Sequence, residues 1–442
     1  MTTSMQEALR RRAQLTRPDY ITYIPSSWDK AAYDWVNEHF LVFDGPDGSL
    51  MAVWTQEFIR PGQGNINHTI FSRSEDEGVT WAPPRVIAGP KSVDDPTHMT
   101  SWAFPLVSKS GRIYVVYNRH TGIVGWIRFH TGGMGAIYSD DCGVTWSEPQ
   151  EIAMPRSPYD DPASIIPPEW IVWQKPMRDL SGGYFVGYSH WVNRAVATLK
   201  QTKDWTEIES VVEFMRFINV DQNPEPRDLD IRYSPPERAL RVPHRMHPLL
   251  SISQEPSLVR LPDDRLFCVM RTCSGYMWWS QSADDGETWC SPRPLLHRDF
   301  GLPMLNPVAS DPIYPLSQPG RYVLFYHNNI GGPAAGGAYD AVPREPVYIS
   351  LGEFRPGADQ PVWFSQPKLF MATEGLAPDG VTRDPRDTKA GSLSMYSSFT
   401  NRNGVDVLWY PDSKFFLLGK RITAETLAGL TAPRDLDHEV TK

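Results

Sequence analysis

Short apolar runs alternate with polar punctuation along this chain, and a helical period is almost nowhere sustained. GRIYVVY (111–117), GGYFVGY (182–188), DRLFCVM (264–270), GRYVLFY (320–326) and GVDVLWY (404–410) are β-branched and aromatic runs bounded by turn formers, which is the pattern of strands. MQEALRRRAQL, near the N-terminus, is the best amphipathic helical stretch. Proline sharpens the picture: 41 of 442 residues is about twice the usual ~5% share. These prolines punctuate the runs rather than gathering in one linker. The pattern predicts an all-β protein of many short strands.

Repetition then organises those strands. SEDEGVTW (74–81), SDDCGVTW (139–146) and SADDGETW (282–289) all fit Ser-x-Asp-x-Gly-x-Thr-Trp. Asp and Gly suit a tight turn, the hydroxyls can bond the local backbone, and Trp can plug an apolar layer. Trp146 and Trp289 stand about twice as far apart as Trp81 and Trp146, and LKQTKDWTEI (199–208) is the expected worn copy in the gap. A second repeat runs in phase with the boxes, an apolar segment, a turn and another strand. Its six copies fall at 38–54, 101–117, 170–188, 255–270, 306–326 and 396–410. Six such hairpins, each the inner half of a four-stranded blade, predict a six-bladed β-propeller. DYITYI (19–24) is expected to supply the outermost strand of the last blade and close the ring. The organisation read is an N-terminal extension over 1–18 and one propeller over 19–442.

Composition narrows the function classes. Lys+Arg 43 against Asp+Glu 52 gives a net charge of −9, which argues against nucleic-acid binding by bulk positive charge. No run approaches the ~18 apolar residues of a membrane-spanning helix, and no apolar stretch follows the N-terminal arginines as in a secretory signal. A cytoplasmic location is the expectation, with secretion open if a leader was removed. Four cysteines, Cys142, Cys268, Cys273 and Cys290, form neither a disulfide framework nor a zinc spacing. No metal or cofactor is expected.

Blade topology sorts the polar residues. The starts of the inner strands and the loops between second and third strands share one face, and the box turns lie on the other. The first face should hold Asn37, Glu38, Arg60, His68, Trp102, His120, His190, Glu255, Arg271, His327, Arg344 and Tyr396. QEPSLVRLPDDRLFCVMR (254–271), paired with SADDGETW, resembles the Asp-box (BNR) sialidases and their sialidase-like relatives. That resemblance implies a propeller enzyme that removes a terminal acidic sugar, with an acidic oligosaccharide as partner. It also implies a role for each matching residue. Arg271 and Arg344 (in AVPREPVYIS) would grip the sugar carboxylate, and Tyr396 (in SMYSSF) would be the nucleophile assisted by Glu255. A neutral tyrosine suits an anomeric carbon that already bears a carboxylate, and guanidinium groups suit bidentate recognition of that carboxylate.

Two positions depart from the family pattern. VNEHF (36–40) lacks the first arginine, and RPGQGNINHTIFS (60–72) lacks the acid/base aspartate. Arg60 and His68 are the expected substitutes, His68 as proton donor. His120, His190 and His327 join the candidate face as substrate-binding residues. With Arg271 and Tyr396, these histidines also fit a lyase acting on uronate polysaccharide. A non-catalytic propeller that binds glycan or protein is the third reading. The charged, proline-rich stretch 221–247 reads as a rim insertion or oligomer contact. Segment 330–343 reads as a lid or surface loop, and 372–391 as loop.

Overall fold

The computed structural model describes residues 7, 14–26, 34, 36–60, 62–199, 208–245, 247–331, 344–372, 393 and 395–434. After a first strand, β1 (Tyr20–Tyr23), blade 1 contains β2 (Val36–Asp44), β3 (Leu50–Arg60), β4 (Gly64–Ser74) and β5 (Arg85–Ala88). Blade 2 contains β6 (Thr100–Val107), β7 (Ile113–Arg119), β8 (Gly133–Ser139) and β9 (Gln150–Ile152). Blade 3 is built from β10 (Glu169–Ile171), β11 (Met177–Arg178), β12 (Tyr184–Trp191), β13 (Ser210–Phe217) and β14 (Ile231–Tyr233). Blade 4 holds β15 (Gln254–Arg260), β16 (Leu266–Arg271), β17 (Trp278–Ser282) and β18 (Arg293–Pro294). Blade 5 holds β19 (Ile313–Pro315), β20 (Arg321–Tyr326), β21 (Val347–Phe354), β22 (Val362–Phe364) and β23 (Lys368–Met371). Blade 6 holds β24 (Ser398–Arg402), β25 (Val405–Asp412) and β26 (Phe416–Arg421), and β1 pairs with β26 as its outermost strand. Each blade is a separate antiparallel sheet, and together they form a six-bladed β-propeller.

The box turns join third to fourth strands, and their hydrogen bonds explain the repeated residue types. In the first, Gly78 N donates to Ser74 Oγ at 2.9 Å and Thr80 N to Asp76 Oδ1 at 2.8 Å. The Asp141 and Asp284 turns repeat both bonds. The glycine is needed twice over. Gly78 has φ +87°, and a Cβ there would lie 2.4 Å from Trp409 Cη2 of the preceding blade. Gly143 and Gly286 meet Phe71 and Phe185 of their preceding blades in the same way. Each box tryptophan follows, with Trp146 against Phe71 at 5.2 Å and Trp289 stacked on Phe214 at 4.3 Å. The boxes thus staple blades 1, 2 and 4 each to the blade before it. Burying an aromatic such as Phe71, 1% exposed, stabilises by roughly 2–3 kcal/mol.

The axis is filled beneath the candidate face. Trp173 Nε1 donates to Pro256 O at 2.8 Å and Gln174 Nε2 to Ser257 Oγ at 2.9 Å, tying blade 3 to blade 4. Lys175 Nζ donates to Val42 O and Phe399 O, both at 3.2 Å, reaching blades 1 and 6. The 221–247 insertion is a structural brace between blades 2 and 3: Arg112 and Tyr114 donate to Asn223 O and Pro224 O. All four cysteines are free thiols. The expected fourth box (200–207), most of the 330–343 segment (332–343) and most of the 372–391 segment (373–391) lie outside the described residues.

Candidate active site

The site forms where inner strands begin, and a repeated backbone device aims its side chains. In blades 1, 2 and 4 the inner strand carries a register shift, between Glu38 and Leu41, Ser101 and Phe104, and Gln254 and Ser257. At each shift one residue takes a positive φ, His39 at 56°, Trp102 at 55° and Glu255 at 47°. Such bulges re-aim a side chain out of the sheet. Glu255 N is held by Ser189 Oγ at 2.6 Å. Arg271 ends the neighbouring strand opposite Gln254, and Tyr396, just ahead of β24, bonds through its carbonyl to Phe40 N at 3.0 Å.

These three side chains close a triangle. Tyr396 Oη donates to Glu255 Oε1 at 2.8 Å, and Arg271 Nη1 donates to Glu255 Oε1 at 2.5 Å and to Tyr396 Oη at 3.2 Å. All three are buried. Burial opposes charge on Arg271, yet the Glu255 carboxylate and Tyr396 hold its pKa above the ordinary value. Burial and then the Glu255 charge push the Tyr396 hydroxyl well up, so the resting side chain is a neutral phenol. Arg344 is buried within electrostatic reach of all three, and its Nη2 donates to Val308 O at 2.9 Å. Burial lowers its pKa, with the Glu255 carboxylate opposing that shift.

Aromatic and charged neighbours fix the tyrosine. Trp102 and Trp173 meet the Tyr396 ring edge-on at 5.3 and 6.2 Å. On the mouth side Lys414 Nζ lies 5.1 Å from the same ring centroid and bonds Glu38 Oε2. The turn that carries Lys414 is locked to blade 1, because Asn37 N donates to Lys414 O at 2.8 Å. Within electrostatic reach of Glu255 and Arg271, the Asp311 carboxyl is fully buried, and neither oxygen has a hydrogen-bond partner among the described residues. Burial, and then the Glu255 charge, raise its pKa far above the carboxylate range.

The other expected residues have different partners. His68 sits inside blade 1 with Nδ1 on Pro90 O at 2.8 Å and Nε2 on Gln56 Oε1 at 2.9 Å; burial lowers its pKa to about 4. It is not joined to the tyrosine group. Arg60 donates to Asp95 O at 2.6 Å and Gln63 Oε1 at 3.1 Å, so its guanidinium is committed to the connection between blades 1 and 2 and to its own turn. His190 is clamped between Glu213 at 2.6 Å and Asp160 at 3.0 Å. Burial opposes its charge, but those carboxylates raise its pKa to about 9. His120 accepts from Gly122 N at 3.0 Å and faces His98, and His327 is buried within electrostatic reach of Arg344. The four histidines are therefore dispersed over separate blades. The histidines that surround the site are two others, His39 against Trp102 at 5.0 Å and His130 stacked on Trp191 at 4.2 Å.

The BNR repeat-like domain matches residues 48–374, a span that takes in all three box turns. The chain belongs to that family. No curated protein matches it. Among solved structures it is similar to a protein of unknown function from Dyadobacter fermentans (TM-score 0.55, 13% identity, covering 91% of this chain and 97% of that one). It is also similar to the intramolecular trans-sialidase of Ruminococcus gnavus in complex with oseltamivir carboxylate (0.54, 14%, 92% and 98%). A Trypanosoma rangeli sialidase mutant displaying trans-sialidase activity gives 0.55 at 12% identity, over 93% of this chain and 58% of that one. At these identities the shared property is the propeller fold.

Within this BNR repeat-like propeller, two site residues escaped sequence reasoning although signals for them exist. Lys414 lies in the turn between second and third strands of blade 6, a loop that blade topology assigns to the candidate face. Asp311, in SDPIY (310–314), repeats the acid-Pro pair of QEPSL (254–258) one blade later.

Proposed function

We propose that this chain is a glycoside hydrolase that releases a terminal acidic sugar, of the sialic acid type, from an oligosaccharide. The observation that carries the reading is the 2.8 Å bond from the buried Tyr396 hydroxyl to Glu255, in a buried cluster that also includes Arg271 and Arg344. The guanidinium groups and Lys414 supply the positive field for the sugar carboxylate. Tyr396 Oη attacks the anomeric carbon as its proton passes to Glu255, and the glycosidic C–O bond breaks. The leaving oxygen takes its proton from the Glu38–Lys414 pair, which replaces His68 in this role. Water then attacks the same carbon and its proton returns to the pair. The phenolate leaves and regains its own proton from Glu255. Two displacements at one carbon give retention of configuration.

The test is release of free acidic sugar from an aryl sialoside and a sialyl-oligosaccharide by wild type and Tyr396→Phe. Turnover by wild type, with at least a ~10³-fold loss in Tyr396→Phe, is the expected outcome on the scale of losing a catalytic group. Equal turnover by the two proteins would sink the nucleophile assignment. Binding of the sugar without product would leave a glycan-binding propeller.

A further inference from the structure

A cleft opens at blade 4 on the same face as the site, and its two walls are continuous with the site. One wall is the segment Pro243–His244–Arg245 with Pro248, which leads through Ser251 into β15 and Glu255. The other is Ser274, Tyr276 and Trp278, the loop that leaves Arg271 at the end of β16. Five residues of chain reach at most about 17 Å, so Tyr276 stands within a few sugar rings of Arg271. The cleft holds about 480 Å³, within the range for small-molecule sites.

Two aromatic rings held in place by hydrogen bonds line the cleft. The Tyr276 and Trp278 rings are nearly parallel, 13° between planes, with centroids 6.2 Å apart. Trp278 Nε1 donates to Ser274 Oγ at 3.0 Å, and Met277 N and Asn306 N pin the loop to the start of blade 5. Both rings are half-exposed. Beside them Arg245 is exposed, and His244, buried, is paired with a near-parallel His247 ring at 5.4 Å. Half-exposed aromatic rings edged by polar groups match a pyranose, which packs a C–H face on a ring and turns its hydroxyls to the polar rim.

We propose that this cleft is a binding subsite for the neutral sugars that precede the terminal acidic one. The inference rests on the hydrolase reading for the identity of the glycan. The cleft itself is tested without it, using lactose, which carries no acidic sugar. Calorimetric titration compares wild type, Tyr276→Ala, Trp278→Ala and Trp278→Phe, each checked for an unchanged melting transition. Lactose should bind wild type weakly and each alanine variant about tenfold more weakly, equivalent to roughly 1.4 kcal/mol. Trp278→Phe should restore most of the affinity. No lactose binding by wild type, or equal binding by the alanine variants, overturns the subsite. Should lactose bind through Trp278 while no acidic sugar is ever released, the subsite stands and the hydrolase reading falls. Turnover without lactose binding does the opposite: the hydrolase stands and the subsite falls.

Discussion

The inner strands of the first and fourth blades turn towards the axis through the same backbone device and deliver opposite chemistry. Both carry a register shift and a positive-φ residue, His39 in blade 1 and Glu255 in blade 4. Glu255 meets a guanidinium from its own sheet and a phenol from blade 6. His39 meets the Trp102 ring, and burial lowers its pKa to about 3. The propeller therefore repeats a way of presenting a side chain, while the residue placed there decides whether the position carries charge. Blade 1 recovers charge one residue earlier, at Glu38, and only with Lys414 from another blade.

Removing the charge of blade 4 should have the largest effect. Arg271→Ala leaves the Glu255 carboxylate buried beside a neutral phenol, and breaking a buried pair in this way costs about 3–5 kcal/mol. Denaturant unfolding checks this, with Arg60→Ala as the half-exposed comparison, expected within about 0.5 kcal/mol of wild type. A loss below 1 kcal/mol for Arg271→Ala would mean that the pair is not tightly held in the folded protein. Glu255→Gln keeps the shape and most hydrogen bonds but removes the base. Turnover should fall by about 10²–10⁴, and the melting temperature should fall as well, because the buried Arg271 guanidinium loses its carboxylate.

The difference between these blades also marks how much was legible in the sequence. Strand runs, the box turns and the six-fold phase were readable because each is a local pattern with a local cause. Glu255 and Arg271 were readable because they bracket one hairpin, so their meeting needs only strand pairing. Glu38 with Lys414 was not, because the pair joins residues from opposite ends of the chain that meet only when the ring closes. His68 and His190 looked available in sequence, since nothing local shows that Pro90 and Gln56, or Asp160 and Glu213, occupy their nitrogens. Loop histidines are polar wherever they point, and only the packed fold says which of them face the axis.

The Glu38–Lys414 pair sharpens the comparison at intermediate size. If it protonates the leaving oxygen, its loss matters only when that oxygen needs a proton. Glu38→Gln should reduce turnover of a sialyl-oligosaccharide by about 10²-fold or more, within the usual contribution of general acid catalysis. An aryl sialoside with an acidic phenol as leaving group should be affected several-fold at most. Equal losses on both substrates would assign Glu38 to structure, acting through the position of Lys414 over the Tyr396 ring.

The smallest effect is expected at His39, where blade 1 holds a neutral ring. His39 is fully buried, and its nitrogens have no well-formed hydrogen bond among the described residues. Trp102 shows that an aromatic residue tolerates the same backbone conformation one blade on. His39→Phe should cost about 1–2 kcal/mol at pH 7.5, because the phenyl ring is larger than imidazole at a fully buried position and gives up a contact to the Trp173 backbone. Acid should separate the two proteins. The folded pKa of about 3 lies below the unfolded value of 6.5, so the unfolded chain binds the extra proton between those limits. Wild type then loses stability as pH falls from 6.5 towards 3, and the phenylalanine variant is spared that contribution. Melting temperatures measured from pH 7.5 down to 4 should show the variant falling less steeply. Parallel curves would mean that His39 is hydrated or charged in the folded protein, and that the two blades differ less than their geometry implies.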